Sequence, residues 1–386
     1  MMTKAYDAIV VGAGSAGVPT ALALGQKGVK TLVIDSHPSP GQGQNKHAIG
    51  GIRATHSDPG KIIVGMRSLK ILSTWQETHG DDIEWLRGGY LFPVYRDKEE
   101  AILKGFLPVQ KQYGLKIDYV DADKIVEIVP GITRQGLMGG TFSPDDGSAS
   151  PLLANNAFYR HALGTKKVDF HFKEQVTGIT TDNAKVTGVT TDSATYSAPV
   201  VIDAAGPFSR DLGKFAGVDI PVFPDCHEGA ITEPVASFFE AMVVDLRPAP
   251  GSKNYYFYQS RHGQIVFCIT PDPSILGTDT RETSVFLPQV AKRMVELMPR
   301  LKNIRVRRVW RGLYPMTPDG SPLAGWNQEI EGLAHVTGMC GQGFMLGPGM
   351  GEIMARLITD ELTDNDALVL DEFSLYREFG GTEGLQ

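Results

Sequence analysis

The stretch Asp7-Ala8-Ile9-Val10-Val11-Gly12-Ala13-Gly14-Ser15-Ala16-Gly17-Val18 decides the fold. Residues 6–11 read as a strand that becomes wholly apolar. Residues 18–27, rich in Ala and Leu, read as a helix stopped by Gly28, and 30–34 as a β-branched strand ending at Asp35. Between strand and helix, Gly12, Gly14 and Gly17 give the spacing G-x-G-x-x-G. The first glycine permits a sharp turn, the second lets backbone approach a pyrophosphate, and the third lets helix and strand pack closely. A diphosphate would then rest on N–H groups around Ser15 and Ala16, where the helix dipole favours negative charge. Asp35, with Ser36 beside it, stands where a carboxylate bonds ribose hydroxyls. A glycine turn that serves packing alone is the competing reading, but strand, helix, second strand and acid all stand in order, which predicts a dinucleotide site.

Outward from this unit, residues 36–55 form a polar loop longer than the usual ~4–6 residues, a length that points to function or mobility. It contains Asn45, Lys46, His47, Ala48 and Gly50. An amphipathic helix is expected over 58–79, another over 151–163, and a strand pair around 175–190. Residues 200–204 read as a short buried strand running into Ala204, Ala205 and Gly206, small enough to lie beside an adenosine. Residues 338–349 are dense in glycine and precede an expected last helix over 349–361. Such a loop, with Gly341, Gln342, Gly343, Phe344 and Met345, can aim N–H dipoles at the N1/O2 edge of a flavin, which favours FAD over a nicotinamide.

The expected architecture is α/β. A Rossmann-like FAD-binding domain (residues 1–80, 146–220 and 300–365) shares the chain with a discontinuous antiparallel-sheet substrate domain of α+β type (81–145 and 221–299). Residues 366–386 read as a polar, frayed tail.

Composition excludes several classes. With 37 Lys and Arg against 44 Asp and Glu, the net charge of −7 disfavours nucleic acid as a partner. Cys226, Cys268 and Cys340 are too few and too far apart for a disulfide framework or a zinc site, and no ligand cluster suggests any other metal. No run approaches the ~18 apolar residues of a membrane span, and no secretory segment opens the chain, so the expected location is cytoplasmic. A homo- or hetero-oligomer is compatible with the sequence.

These segments resemble the D-amino-acid-oxidase-like family of FAD-dependent amine and amino-acid oxidoreductases, which includes sarcosine oxidase, dimethylglycine dehydrogenase, glycine oxidase and dye-linked proline dehydrogenase subunits. The glycine fingerprint, the Asp35 strand, Gly50-Gly51-Ile52-Arg53, the run from Trp310 to Leu323 and the 338–349 glycines carry the resemblance, in order, over nearly the whole chain. It implies FAD roofed by a sheet, Val176 against the adenine, and hydride-equivalent transfer from an amine-bearing carbon to flavin N5. The chain also departs from the sarcosine oxidase pattern. Gly312 replaces the cysteine that links to flavin there, Val266 the roof lysine that promotes oxygen reduction, and Met345 a substrate-binding lysine. An acceptor other than oxygen is therefore plausible, and the sequence does not name it. His47 lies in a segment like the one that dimethylglycine dehydrogenase joins to its flavin, so covalent attachment there and non-covalent binding both stay open, the second being preferred.

An amino-acid substrate needs a cation for its carboxylate, and Arg53 and Arg311 are the candidates. By period two, Tyr256 and Tyr258 share one strand face, opposite Tyr255 and Phe257, and could roof a flavin. Tyr314 matches a flavin-facing tyrosine in the relatives. The leading expectation is oxidation of a small amino acid or a secondary or N-methylated amine. The alternatives are a 2-hydroxy-acid or glycerol-phosphate-type dehydrogenase, or a flavin-carrying subunit of a larger electron-transfer complex.

Overall fold

The computed structural model describes residues 4–381 and 385. Ala8–Val11, all four residues buried, pairs in parallel with Thr31–Asp35 on one side and Val200–Asp203 on the other. Val168–Phe172 and Leu333–Thr337 extend this sheet in parallel, and Leu323–Trp326 closes one edge antiparallel. Strands buried on both faces read as short, continuous apolar runs, and helices cover the sheet. Gly17–Gln26, Pro59–Ser73, Pro151–Gly164 and Gly343–Ile358 supply that cover, packing Leu24, Val64, Phe158 and Ile353 into one core.

The second large sheet has eight strands. Val306–Met316, Phe223–Pro234, Gln264–Pro271, Ser252–Gln259 and Met242–Asp245 are followed by Tyr90–Val94, Gly139–Ser143 and Asp118–Asp121. All its pairings are antiparallel except Met242–Asp245 with Tyr90–Val94. Its core is separate, built on Tyr255, Phe257, Phe267 and Leu297. A four-stranded sheet containing Val176–Asp182 and Lys185–Thr191 flanks the first.

Three expectations are corrected. Val306–Met316 pairs with Phe223–Pro234, so this part of 300–365 lies in the antiparallel sheet. The last long helix begins at Gly343, not Gly349, and carries Pro348 inside it. Its glycines are contact points: a Cβ on Gly347 would stand 1.9 Å from the Ser15 carbonyl oxygen, and one on Gly349 2.5 Å from that of Val64. Residues chosen for close helix crossing read, by propensity alone, as loop. The tail is ordered through Asp364–Glu372, because Thr363 and Asp366 form a reciprocal cap and Asp366 pairs with Arg67 and Arg356, each at 2.7 Å.

Candidate active site

The N-terminal turn is built as its spacing demands. Gly12 has φ +112°, and a Cβ there would lie 2.4 Å from the Ala204 carbonyl oxygen. A Cβ on Gly17 would lie 1.9 Å from that of Gly12. Gly14 is different: a Cβ there would meet nothing within 4 Å. The first and third glycines thus close the turn on neighbouring backbone, and the second faces open space. Asp35 Oδ2 accepts the Ala13 N–H at 2.7 Å and Oδ1 the His37 N–H at 2.8 Å, so the carboxylate fixes the turn and keeps lone pairs for a ribose.

That turn opens into a cavity of about 810 Å³. Gly12, Gly14, Ser15, Ala16, Asp35, Ser36, Val176, Ala204, Ala205 and Gly206 line one part. Asn45, Lys46, His47, Ala48, Gly50, Gly312 and Gly341 to Met345 line another, with Arg53, Tyr256 and Tyr314. Ser15 Oγ donates to Asn45 Oδ1 at 2.9 Å, which ties the first turn to the long polar loop. His47 lies against Gly312, where a Cβ would come within 2.7 Å of its own Cβ, and its carbonyl accepts from Trp310 Nε1 at 2.9 Å. Burial first, then the charges of Lys46 and Arg308, lower the His47 imidazole to about 4.

Three predicted residues stand elsewhere. Gly17 serves packing, as the third glycine should. Tyr258 shares the face of Tyr256, but its hydroxyl is spent on the Ile49 carbonyl at 2.6 Å, behind the cavity wall. Arg311 alternates with Trp310 and Gly312, which line the cavity, and therefore points away from it; its Nη1 donates to the Arg281 carbonyl at 3.1 Å.

Arg53 is buried, 6% exposed, at the end of the short strand Gly51–Ile52. Its guanidinium donates to the carbonyls of Thr55 and Leu385 and lies 5.8 Å from the Phe92 ring centroid. Asp146 braces this segment: Oδ1 accepts the Ala54 N–H at 3.0 Å and Oδ2 the Thr55 hydroxyl at 2.6 Å. Full burial raises Asp146 to about 6, against the opposing pull of those bonds and of Arg53.

The antiparallel sheet contributes a wall of coupled polar groups. The hydroxyls of Tyr256 and Tyr314 share a 2.8 Å hydrogen bond, and burial pushes both phenols well above their usual range. The Tyr314 ring stacks on His227, centroids 3.7 Å apart and planes at 12°. Asp225 Oδ2 sits 3.2 Å from His227 Nε2, and since a carboxylate can only accept, Nδ1 carries the lone pair. Nδ1 is buried and has no hydrogen-bond partner among the described residues. Burial lowers the imidazole below its ordinary value despite Asp225, so His227 is neutral at pH 7. Sequence reading missed His227 and Asp225. Both lie on a twelve-residue strand whose inward positions are buried throughout, and only the stacking on Tyr314 sets them apart. Lys253, exposed and also lining the cavity, was missed for the same lack of local signal.

These residues fit a flavin dinucleotide. The open second glycine leaves room for a diphosphate, Asp35 stands where it could accept ribose hydroxyls, and the last long helix starts beside Ser15, so its N-terminal N–H groups face the same cavity. Among the described residues no helix is long and apolar enough to cross a membrane, and no three His, Cys, Asp or Glu side chains converge as metal ligands.

Comparisons with known proteins agree with this geometry. The chain is 26% identical over 371 residues to glycine oxidase of Bacillus licheniformis, covering 92% of this chain and 94% of that one. Its fold superposes on L-proline dehydrogenase from P. horikoshii with a TM-score of 0.91 at 27% identity, covering 97% and 98% of the two chains. A glycine oxidase structure from Geobacillus kaustophilus gives a TM-score of 0.85 at 21% identity over 98% of this chain and 100% of that one, a likeness of fold. The family model of FAD-dependent oxidoreductases (DAO) matches residues 7–357. Fold, cradle and family model together place this chain in the DAO family of FAD-dependent oxidoreductases, and it is an enzyme of that family.

Proposed function

We propose that the protein oxidises the amine-bearing carbon of a small amino acid, primary or N-substituted. The observation that carries this reading is the position of Arg53: a buried cation, beside aromatic rings, in the cavity that the glycine cradle opens into. A buried guanidinium offers a carboxylate a planar, bidentate grip. Bound FAD supplies the two-electron sink.

The chain's own residues orient and insulate. Arg53 anchors the carboxylate, which fixes the adjacent carbon and removes much of the entropic cost of alignment. Tyr90, Phe92 and Val244 line the same cavity and exclude water. His227 Nδ1, an acceptor held in place by Asp225, suits an amine N–H. Tyr256 and Tyr314 remain protonated and neutral, so neither phenol adds an anion to repel electron density building on the flavin. Names of similar proteins (glycine oxidase, L-proline dehydrogenase) support an amino acid as donor.

A second reading rests on the same His227. A neutral imidazole oriented by a carboxylate is also the base that a 2-hydroxy acid needs. Anaerobic bleaching of the bound flavin, with glycine, sarcosine, proline, D-alanine and lactate tested in turn, separates the two. Bleaching by amino acids is expected; bleaching by lactate alone would overturn the amine reading.

A further inference from the structure

Over residues 300–311 the chain carries five Arg, one Lys and no acid, although acids outnumber cations by 44 to 37 over its whole length. Arg305, Arg307 and Arg308 are exposed, at the start of the strand Val306–Met316. Among the described residues none of these three guanidinium groups makes a hydrogen bond or an ion pair. Glu233, on the neighbouring strand, meets this run only by donating its N–H to the Arg305 carbonyl at 2.9 Å.

The same strand is a wall of the cofactor cavity. By period two, Arg308 shares a face with Trp310, Gly312 and Tyr314, all of which line the cavity. Trp310 Nε1 donates to the His47 carbonyl, and the charges of Arg308 and Lys46 both act on the His47 imidazole. Lys46 lines the cavity and is exposed to solvent, so the wall is thin at this place. Apolar groups lie among the cations. Val306 is 37% exposed, and Ile231, opposite Arg308 in the sheet, packs with Trp310 on one apolar cluster, both half-buried.

We propose that this patch, centred on Arg308 and Trp310, is where an acidic one-electron carrier protein docks to collect electrons from the flavin. The proposal rests on the chain being a flavoenzyme and not on which donor it oxidises. Each turnover leaves two electrons on the cofactor; two carrier molecules, of haem or iron–sulfur type, take one each, and the protons pass to solvent. Unpaired guanidinium groups gathered at one place on an acidic chain steer an anionic partner to that place. Arg and Trp around an apolar centre are the residue types that carry binding energy in protein interfaces. The patch is built on strands and offers a bilayer no amphipathic helix to bury.

The test compares wild type with Arg308→Glu and, separately, with Arg305→Glu/Arg307→Glu. Flavin-free protein is titrated calorimetrically with plant-type ferredoxin, an acidic iron–sulfur protein. Flavin-loaded protein, reduced anaerobically with stoichiometric dithionite, is mixed with anionic ferricyanide or cationic hexaammineruthenium(III). Ferredoxin should bind wild type at low ionic strength and bind both variants about tenfold more weakly or worse, the difference fading in high salt. Reoxidation by ferricyanide should slow about tenfold in the variants, and reoxidation by hexaammineruthenium(III) should quicken. Ferredoxin that does not bind, or binds all three proteins alike, overturns the docking site. Ferricyanide rates equal in all three overturn the place of electron exit. Tighter binding to phosphatidylserine vesicles or to oligothymidylate than to ferredoxin, lost in the variants, gives the patch to a membrane or a nucleic acid and overturns the proposal. Self-association of wild type that the variants abolish does the same. None of these probes needs an amine donor, so failure here leaves the amino-acid reading standing, and a flavin that no amino acid bleaches leaves this test intact.

Discussion

Gly14→Ala separates what the glycine turn does for the fold from what it does for the cofactor. At Gly14 an added Cβ meets nothing within 4 Å and the backbone lies outside the left-handed region, so the substitution is compatible with the folded chain. Such Gly→Ala changes typically stabilise by ~0.4–1 kcal/mol, through lost freedom in the unfolded chain. Gly12→Ala and Gly17→Ala place a methyl group 2.4 and 1.9 Å from fixed carbonyl oxygens, the first at φ +112°, and should destabilise by about 1–3 kcal/mol or more. Toward FAD the ranking reverses. The open space at Gly14 is where a pyrophosphate must approach, and one methyl group forced into a filled contact costs ~1–3 kcal/mol. That corresponds to roughly five- to 150-fold weaker binding. Thermal unfolding of flavin-free protein and calorimetric titration with FAD measure the two effects independently. A Gly14→Ala protein that melts no lower than wild type yet binds FAD many-fold more weakly is the expected result. If it binds FAD within twofold of wild type, the diphosphate does not lie against Gly14 and the cradle has been misread.

Arg53→Met should lower kcat/KM for amino-acid donors by about 30-fold or more, since losing a buried charged contact costs ~2–5 kcal/mol. Flavin content, measured by absorbance, should not change. The His47 imidazole is held near 4, so between about pH 6.5 and 4 the unfolded chain takes up a proton that the folded chain refuses. Stability is full above 6.5 and declines by at most ~3 kcal/mol as pH falls to 4; urea titrations should show His47→Gln losing that decline. Acid precipitation should release the flavin to the supernatant; a yellow pellet would show covalent attachment, and its loss in His47→Gln would place the bond at His47. His227 and Asp225 titrate below their usual values and Tyr256, Tyr314 and Cys268 above theirs, so the wall is silent around pH 7–9. A rise of kcat/KM with pH should then follow the donor's amine and move when donors of different basicity are exchanged.

Local chemistry made the cradle legible. A strand, three glycines at fixed spacing, a helix and an acid are determined by neighbours within 30 residues, and Gly12, Gly14, Gly17 and Asp35 stand as their spacing required. The face shared by Tyr256 and Tyr258 followed from period two, but which phenol reaches the cavity depended on Ile49, 209 positions away in the chain from Tyr258. Arg311 shows the same limit. Parity along its strand was available, but which parity faces inward was decided by His47 packing on Gly312. The helix from Gly343 was hidden because glycines that admit close crossing look the same as glycines that break helices. His227 carried no local sign at all; its meaning lies in a stacked ring from the neighbouring strand.

The proposed substrate anchor, Arg53, belongs to neither large sheet alone. Arg53 follows the strand Gly51–Ile52, which pairs with Gly147–Ser148, and the loop just before that partner carries Asp146. Asp146 in turn accepts the N–H of Gly89 through its carbonyl, one residue before the strand that starts at Tyr90 in the antiparallel sheet. A shift of one sheet against the other would therefore move the Asp146 carboxylate relative to Ala54 and Thr55, and turn the guanidinium away from the aromatic wall. Orientation within about 0.5 Å is what an alignment-based catalyst requires of its first contacts. If Arg53 is the anchor proposed above, burying a carboxylate beside it, at the cost of raising that carboxylate to about 6, would couple the docking of the two sheets to the grip on the substrate.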